Sequence, residues 1–217
     1  MTRTLVVVAV DAERDALGAA CLASPSVEVV VAGIGRTNAA AATAQAIALA
    51  SASGRPFAAV VSAGIAGALP GSNLSPGTLV VADACVYAEE GIELPGGFGD
   101  MRALGFPLGD FEGNRVPVDG SLLRAFRALG PVDAIATVAT CSGTDAAAER
   151  VRLRTAAIAE AMEGAAVVHA SRRAGVPAIE IRAISNTTGD RSAQRWDIPR
   201  AFAALGVAGN AVAAFAG

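Results

Sequence analysis

Short runs of aliphatic and β-branched residues alternate along this chain with longer Ala-rich stretches, and the alternation sets the expected elements. Thr4–Val10, Val27–Val31, Phe57–Val61, Thr78–Val86, Ala134–Val138 and Ala178–Ile184 read as strands. Between them, Thr37–Ala52, Ser121–Leu129, Thr144–Ala157, Glu163–Ala174 and Pro199–Phe215 read as helices. Strand runs this apolar belong to an α/β fold whose central strands are covered on both faces. Gly175 before Pro177 supplies a stop for the fourth helix. Glu89–Arg115 is rich in glycine, carries Pro95 and Pro107 and lacks a period, so a long loop or flap over a site or interface is expected there. No repeat or linker interrupts the pattern, and residues 1–217 are expected to form one domain.

Composition narrows the class. Apolar residues make up 53% of the 217 and charged residues 17%, which suits extensive buried helix–sheet contact and leaves apolar surface for a subunit interface. The chain is long enough to bury a core without metal or disulfide staples. A formal net charge of −3 gives no basic footprint for nucleic acid. Cys21, Cys85 and Cys141 are far apart and form no CxxC pair, so neither a disulfide framework nor a zinc site is indicated. The apolar run Leu5–Val10 is cut off by Asp11, Glu13, Arg14 and Asp15, too soon for a signal segment, and no uninterrupted apolar stretch of about 20 residues follows. A cytoplasmic protein without nucleic-acid or membrane partners is expected.

Ligands of open α/β sheets bind beyond the carboxyl ends of strands, so polar residues just after each strand are the candidates. Asp11-Ala12-Glu13-Arg14 follows the first strand, where a helix-capping role competes with catalysis by Glu13. Gly33-Ile34-Gly35 invites a dinucleotide fingerprint, but Asn38 stands where its third glycine belongs and no acid follows about 20 positions later. Ser62-Ala63-Gly64-Ile65-Ala66-Gly67 is either a tight turn or a place where backbone approaches a ligand. In Thr140-Cys141-Ser142-Gly143-Thr144-Asp145, Ser142 or Thr144 suits a helix cap, and the same geometry lines a pocket edge. Glu163 follows Met162 at a helix start, and the small residues Gly164, Ala165 and Ala166 imply that something packs close to it. His169, the only histidine, lies inside a helix and reads as a packed side chain, so no Ser-His-Asp or Cys-His system is expected.

Taken in order, Ala9-Val10-Asp11-Ala12-Glu13, Gly33-Ile34-Gly35, Ala63-Gly64-Ile65-Ala66-Gly67, Ser142-Gly143-Thr144, Met162-Glu163 and Arg182-Ala183-Ile184-Ser185-Asn186 resemble the motifs of the methylthioadenosine/S-adenosylhomocysteine nucleosidase branch of the purine nucleoside phosphorylase superfamily. The resemblance covers essentially the whole chain. It implies a three-layer αβα sandwich around a mixed, partly barrel-like sheet, assembled as a homo-oligomer of two or more subunits, with a small-molecule nucleoside as substrate. It implies no cofactor and no metal.

Carried over by position, Glu13 resembles the carboxylate that activates the attacking water, and Glu163 the one that grips the ribose hydroxyls, with Met162 against the sugar. Ser142, Gly143, Thr144, Ser185 and Asn186 fall in the segments that hold the purine. Phosphorylases collect phosphate with arginines and a Ser or Thr in the glycine-rich turn. Here that turn carries Ile65 and the first site carries Glu13, which favours hydrolysis. The adenine-specific nucleosidases have aspartate where Asn186 stands. An asparagine amide donates to N7 and O6 of a 6-oxopurine but has no proton to transfer, which suits hypoxanthine, although asparagine also pairs with the N6/N7 edge of adenine.

Ser185–Ser192, continuing to Arg195-Trp196-Asp197-Ile198, resembles the futalosine hydrolase family, which releases hypoxanthine from futalosine in menaquinone biosynthesis. The aryl carboxylate of that substrate implies pairing with Arg191 or Arg195 and packing on Trp196. A solvated basic loop with a buried tryptophan is the plainer account of the same residues. The rivals are a methylthioadenosine/S-adenosylhomocysteine nucleosidase, a purine nucleoside phosphorylase and a noncatalytic nucleoside-binding protein.

Overall fold

The structure, a computed structural model, describes residues 2–217. The elements run β1 (Thr4–Val8), α1 (Asp11–Ala16), α2 (Gly18–Leu22), β2 (Val27–Val31), α3 (Arg36–Ala52), β3 (Ala59–Ala68) and β4 (Leu79–Tyr87). Next come β5 (Gly91–Leu94), β6 (Gly97–Asp100), α4 (Met101–Leu104), β7 (Arg115–Pro117) and α5 (Gly120–Phe126). The chain ends with β8 (Val132–Thr137), α6 (Asp145–Thr155), β9 (Ala159–Ala161), α7 (Gly164–Arg173), β10 (Ala178–Thr187) and α8 (Ile198–Ala216).

Five strands close on themselves. β10 pairs with β4, β4 with β8, β8 with β9, β9 with β3 and β3 again with β10, in mixed parallel and antiparallel pairings. β1 and β2 extend this ring from the first half of β3, while the last two residues of β3 pair with β9 instead. β3 therefore changes partner on one edge along its length, and the small residues Ser62–Gly67 lie where it does so. That segment is part of a ten-residue strand and not a turn. Glycine inside a strand marks a bend or a close approach, and here it marks both.

Alternate residues of each central strand face opposite layers. Leu5, Val7, Val60 and Val80 pack with α3 and α7, through Ala39, Ile47, Ala165 and Val168. Val6, Val8, Val61, Ile179 and Ile181 pack with α2, α5 and α8, through Cys21, Leu122, Leu205 and Val212. These are the three layers implied by the family resemblance. α8 has 19 residues and enough apolar character to pass for a membrane span on length and composition. Its Ala201, Leu205 and Val212 edge nevertheless fills the second core layer.

Two sequence expectations are corrected. Residues 89–115 are not a long loop: β5 and β6 form a hairpin around Pro95-Gly96, followed by α4 and β7. Asn114 fastens its base, donating from Nδ2 to the carbonyls of Tyr87 and Glu90 at 2.8 and 2.7 Å. Short exposed strands bury too little on either face to show a period. The expected helix Ser121–Leu129 stops at Phe126 and tightens into a 3₁₀ turn, Arg127–Leu129. Its start is fixed by Asp119, whose carboxylate accepts from the backbone N–H of Ser121 and Leu122.

Gly209 lets α8 seat against the end of α1, since a Cβ there would stand 2.0 Å from the carbonyl oxygen of Leu17. Alanine gains about 1 kcal/mol in helix propensity, but overpacking against backbone costs about 1–3 kcal/mol or more. Gly209→Ala is expected to lower the urea midpoint of unfolding; an unchanged or raised midpoint would refute this account of the contact.

Candidate active site

A cavity of about 490 Å³ opens at the carboxyl ends of β1, β3 and β10. Three acids line it, Glu13, Glu160 and Glu163, each no more than 6% exposed.

Glu13 sits in the first turn of α1, immediately beyond β1. Ala9 N–H donates to its Oε2 and Ile65 N–H to its Oε1, both at 2.9 Å. A Cβ at Gly64 would lie 2.4 Å from Glu13 Oε1 and 2.5 Å from Arg182 Nη1, so only glycine lets acid and guanidinium settle against β3. Asp11 does not cap α1: it pairs on the surface with Arg14 at 2.7 Å.

Glu163 occupies the N-cap position of α7 but caps nothing with its side chain. Its Oε1 accepts from Gly35 N–H at 3.0 Å, so the Gly33-Ile34-Gly35 turn holds a carboxylate and not a pyrophosphate. Its Oε2 lies 3.2 Å from Arg182 Nη2. Arg182, 1% exposed, also donates from Nε to Glu180 Oε1 at 2.8 Å and from Nη2 to Ser62 Oγ at 3.3 Å. Burial works against the cation, yet Glu180, Glu163 and Glu13 outweigh it and the guanidinium pKa is raised. What packs against Gly164 is the carboxyl of Glu180, 1.9 Å from where a Cβ would stand. Burial pushes the Glu180 carboxyl up, with Arg182 opposing.

Opposite these groups lies an amide. The register between β10 and β3 slips between Ile184 and Asn186, so Ser185 is the extra residue of a bulge and Asn186 pairs with Gly67. The bulge turns Asn186 to the cavity, where its Oδ1 accepts from Ser185 Oγ at 2.8 Å and its Nδ2 donates to the Thr187 carbonyl at 2.8 Å. Ser142 lines the same wall, donating to Glu160 from its N–H at 2.8 Å and its Oγ at 2.6 Å. Burial raises the Glu160 carboxyl, and the two Ser142 bonds partly oppose it. Met162 and Cys141 meet with their sulfurs 3.5 Å apart.

The mouth is covered by the segment after β10. Gln194 donates from Nε2 to the carbonyls of Ser142 and Gly189, both at 3.0 Å, and its Oε1 accepts from Arg191 and from the Trp196 indole. Trp196 is 48% exposed, with the Arg191 guanidinium 5.1 Å above its ring. The tryptophan is thus at the rim and not buried.

The cavity gathers Glu13, Ile65, Ser142, Gly143, Met162, Glu163, Ser185, Asn186, Arg191 and Trp196. Thr144 and Arg195 lie outside its lining: Thr144 caps α6, accepting from Ala147 N–H at 3.1 Å, and Arg195 is exposed. His169 packs elsewhere, its ring 5.0 Å from Phe111, with its pKa lowered by burial. Sequence reasoning missed Glu160, Glu180 and Gln194. An ionisable residue inside an apolar strand run was the available signal for Glu180, because burying a charge needs a partner; Glu160, on a strand of three residues, and Gln194, in a polar loop, carried none.

Residues 22–215 match the phosphorylase superfamily. The futalosine hydrolase of Streptomyces coelicolor is 38% identical over 93% of this chain and 91% of its own length. Among solved structures, a methylthioadenosine/S-adenosylhomocysteine nucleosidase of Colwellia psychrerythraea in complex with adenine superposes with a TM-score of 0.76 at 21% identity, covering 98% of this chain and 93% of that one. The futalosine hydrolase of Helicobacter pylori gives a TM-score of 0.71 at 20% identity, covering 99% and 96%.

Removing the cation from between buried carboxylates leaves them uncompensated. Arg182→Met is expected to cost about 3–5 kcal/mol in urea unfolding, and adding Glu180→Gln is expected to return part of that loss. A single variant as stable as the parent would refute the charge balance.

Proposed function

The chain belongs to the phosphorylase superfamily and, within it, to the futalosine hydrolases, and we propose that its cavity hydrolyses the C1′–N9 bond of futalosine and releases hypoxanthine. The observation that carries this reading is the convergence of Glu13, Glu163 and Asn186, far apart in sequence, on one 490 Å³ cavity.

Each group has a task set by its surroundings. Glu13, its two oxygens oriented by the N–H groups of Ala9 and Ile65, takes a proton from the attacking water as the C1′–O bond forms. Glu163 accepts from the ribose hydroxyls and faces a ribosyl group of oxocarbenium character, with Met162 against the sugar. The bonding pair of C1′–N9 leaves with the purine. Asn186 keeps one amide N–H beyond its bond to the Thr187 carbonyl and shares it between N7 and O6, stabilising that charge without giving up a proton, and the departing base is protonated by solvent. Ser142, Gly143 and Ser185 shape the purine side. At the rim, Arg191 pairs with the aryl carboxylate and Trp196 stacks on its ring.

Water is the acceptor because a phosphate anion would meet the Glu13 carboxylate and the apolar Ile65 side chain. A methylthioadenosine/S-adenosylhomocysteine nucleosidase is the second reading. It is disfavoured by the neutral amide at position 186, which cannot protonate adenine. A cytoplasmic homo-oligomer is part of the proposal. The Ala-lined hollow of about 610 Å³ between α3 and α7 offers the subunit contact.

With futalosine in phosphate-free buffer, the parent is expected to liberate hypoxanthine, and Glu13→Gln is expected to lower kcat by roughly 10²–10⁴ with little change in KM. Parent-like turnover by Glu13→Gln would remove its role as base. Asn186→Asp is expected to move preference toward adenine nucleosides, measured by competition between the two bases; an unaltered ratio would overturn the assignment of Asn186.

A further inference from the structure

Of the three acids around Arg182, Glu180 alone lies outside the cavity lining, and the reaction outlined above makes no use of it. It stands two residues before Arg182 on β10, so both side chains leave the same face of the sheet, beside Ser62 and Gly64 of β3 and beneath the start of α7. There it is fully buried. Its Oε1 accepts from Arg182 Nε at 2.8 Å, and its Oε2 has no hydrogen-bond partner among the described residues. The charged and titratable groups that face it are Arg182 on its own strand, the Cys85 thiol of β4 and Glu163 at the head of α7.

Stability does not explain an acid at this place. A carboxylate bonded through one oxygen carries a desolvation cost that an apolar side chain of the same size would avoid. Its cradle adds to the cost. A Cβ at residue 164 would collide with the carboxyl, so the first turn of α7 must keep glycine, a poorer helix former than alanine. Two local departures from good packing at one point mark a functional position.

The surroundings of Arg182 show what the acid can do. The guanidinium donates to Ser62, faces Glu163 at 3.2 Å and comes up to Glu13 over Gly64. Burial works against that cation, and Glu180 does most to oppose the effect of burial. With Glu13 and Glu163 alone, one guanidinium would offset half the charge of the two cavity acids. With Glu180 the cation is matched from below, and three carboxylates against one guanidinium leave two net negative charges under the cavity.

We propose that Glu180 is a positioning residue for the hydrolysis: it engages Arg182 from the side away from the cavity, so that the guanidinium orients Glu13 and Glu163 without cancelling the negative field they present to a ribosyl cation. The inference rests on the roles given above to Glu13 and Glu163. A nucleoside in its ground state has no charge on the sugar, so the field acts on the transition state and not on substrate binding.

Two variants and one pair of ligands test this. Glu180→Gln keeps the shape and an acceptor for Arg182 Nε but removes the charge, whereas Glu180→Asp keeps the charge and shortens the side chain. Glu180→Gln is expected to lower kcat on futalosine about 5- to 30-fold with KM within about twofold. It is also expected to move the acidic limb of the kcat/KM profile to lower pH by about 0.5–1 unit, because the cation then weighs more heavily on the base. Glu180→Asp is expected to keep more of kcat than Glu180→Gln. A packing role requires the opposite order, and that order, or a parent-like kcat in Glu180→Gln, would overturn the proposal.

The ligands are 9-deazainosine, whose C–C glycosidic bond resists hydrolysis, and its imino-sugar counterpart, in which a protonated nitrogen replaces the ring oxygen. Calorimetry in mildly acidic buffer is expected to give the parent about a tenfold or greater preference for the cation, and Glu180→Gln a preference about three- to tenfold smaller. Equal parent affinity for the two ligands would overturn the proposal without any variant needing to fold. If the parent prefers the cation, Glu180→Gln loses that preference and futalosine stays intact, the hydrolysis is retired and Glu180 keeps its place beneath the sugar site. Futalosine cleaved alike by the parent and Glu180→Gln would retire Glu180 and keep the hydrolysis.

Discussion

The guanidinium of Arg182 sits where three carboxylates would otherwise repel one another. Glu180 and Glu163 contact it directly, and Glu13 approaches it over the same face of Gly64. Buried like charges are costly at short range because little water screens them. A planar cation with several donors answers this in a way that a lysine point charge cannot. Two of these acids line the cavity and the third, Glu180, does not. The acids of the cavity are therefore tied to β10, the strand that also carries Asn186, so both walls share one rigid support.

Closing five strands into a ring brings that support together. β3 gives its first half to β1 and its end to β9, and it lies beside β10 throughout. Motifs from residues 13, 67, 160 and 186 meet because β3 borders all of their strands or their loops. The small residues Gly64 and Gly67 are needed at the points of closest approach, where a side chain would displace Glu13 and Arg182 at the first and Thr188 at the second.

Much of this was legible in the chain. Val6, Val61 and Ile179 sit in runs apolar enough to identify buried strands, and Glu13, Glu163 and Asn186 fall at strand ends where sites form. The meaning of Gly164 was not legible. Small residues beside Glu163 announced a close neighbour, but only the packing of α7 on the sheet shows that the neighbour of Gly164 is Glu180, sixteen residues later on β10. Glu160 was hidden for a related reason: β9 is three residues long, too short to leave a period. The hairpin at 91–100 escaped because exposed strands lack an apolar face, although Pro95-Gly96 marked its turn.

The Gln194 fastening at the cavity rim differs in kind from the buried charge cluster. Three of its four bonds are neutral, each worth about 0.5–1.5 kcal/mol net, and the fourth comes from the exposed Arg191 guanidinium, so the entrance can unclasp for a ligand at little cost while the ionic floor stays in place. Substitutions around Trp196 and Arg191 are consequently buffered from the chemistry. The rim can drift toward ligands of different shape over evolutionary time without any change in the buried acids beneath it.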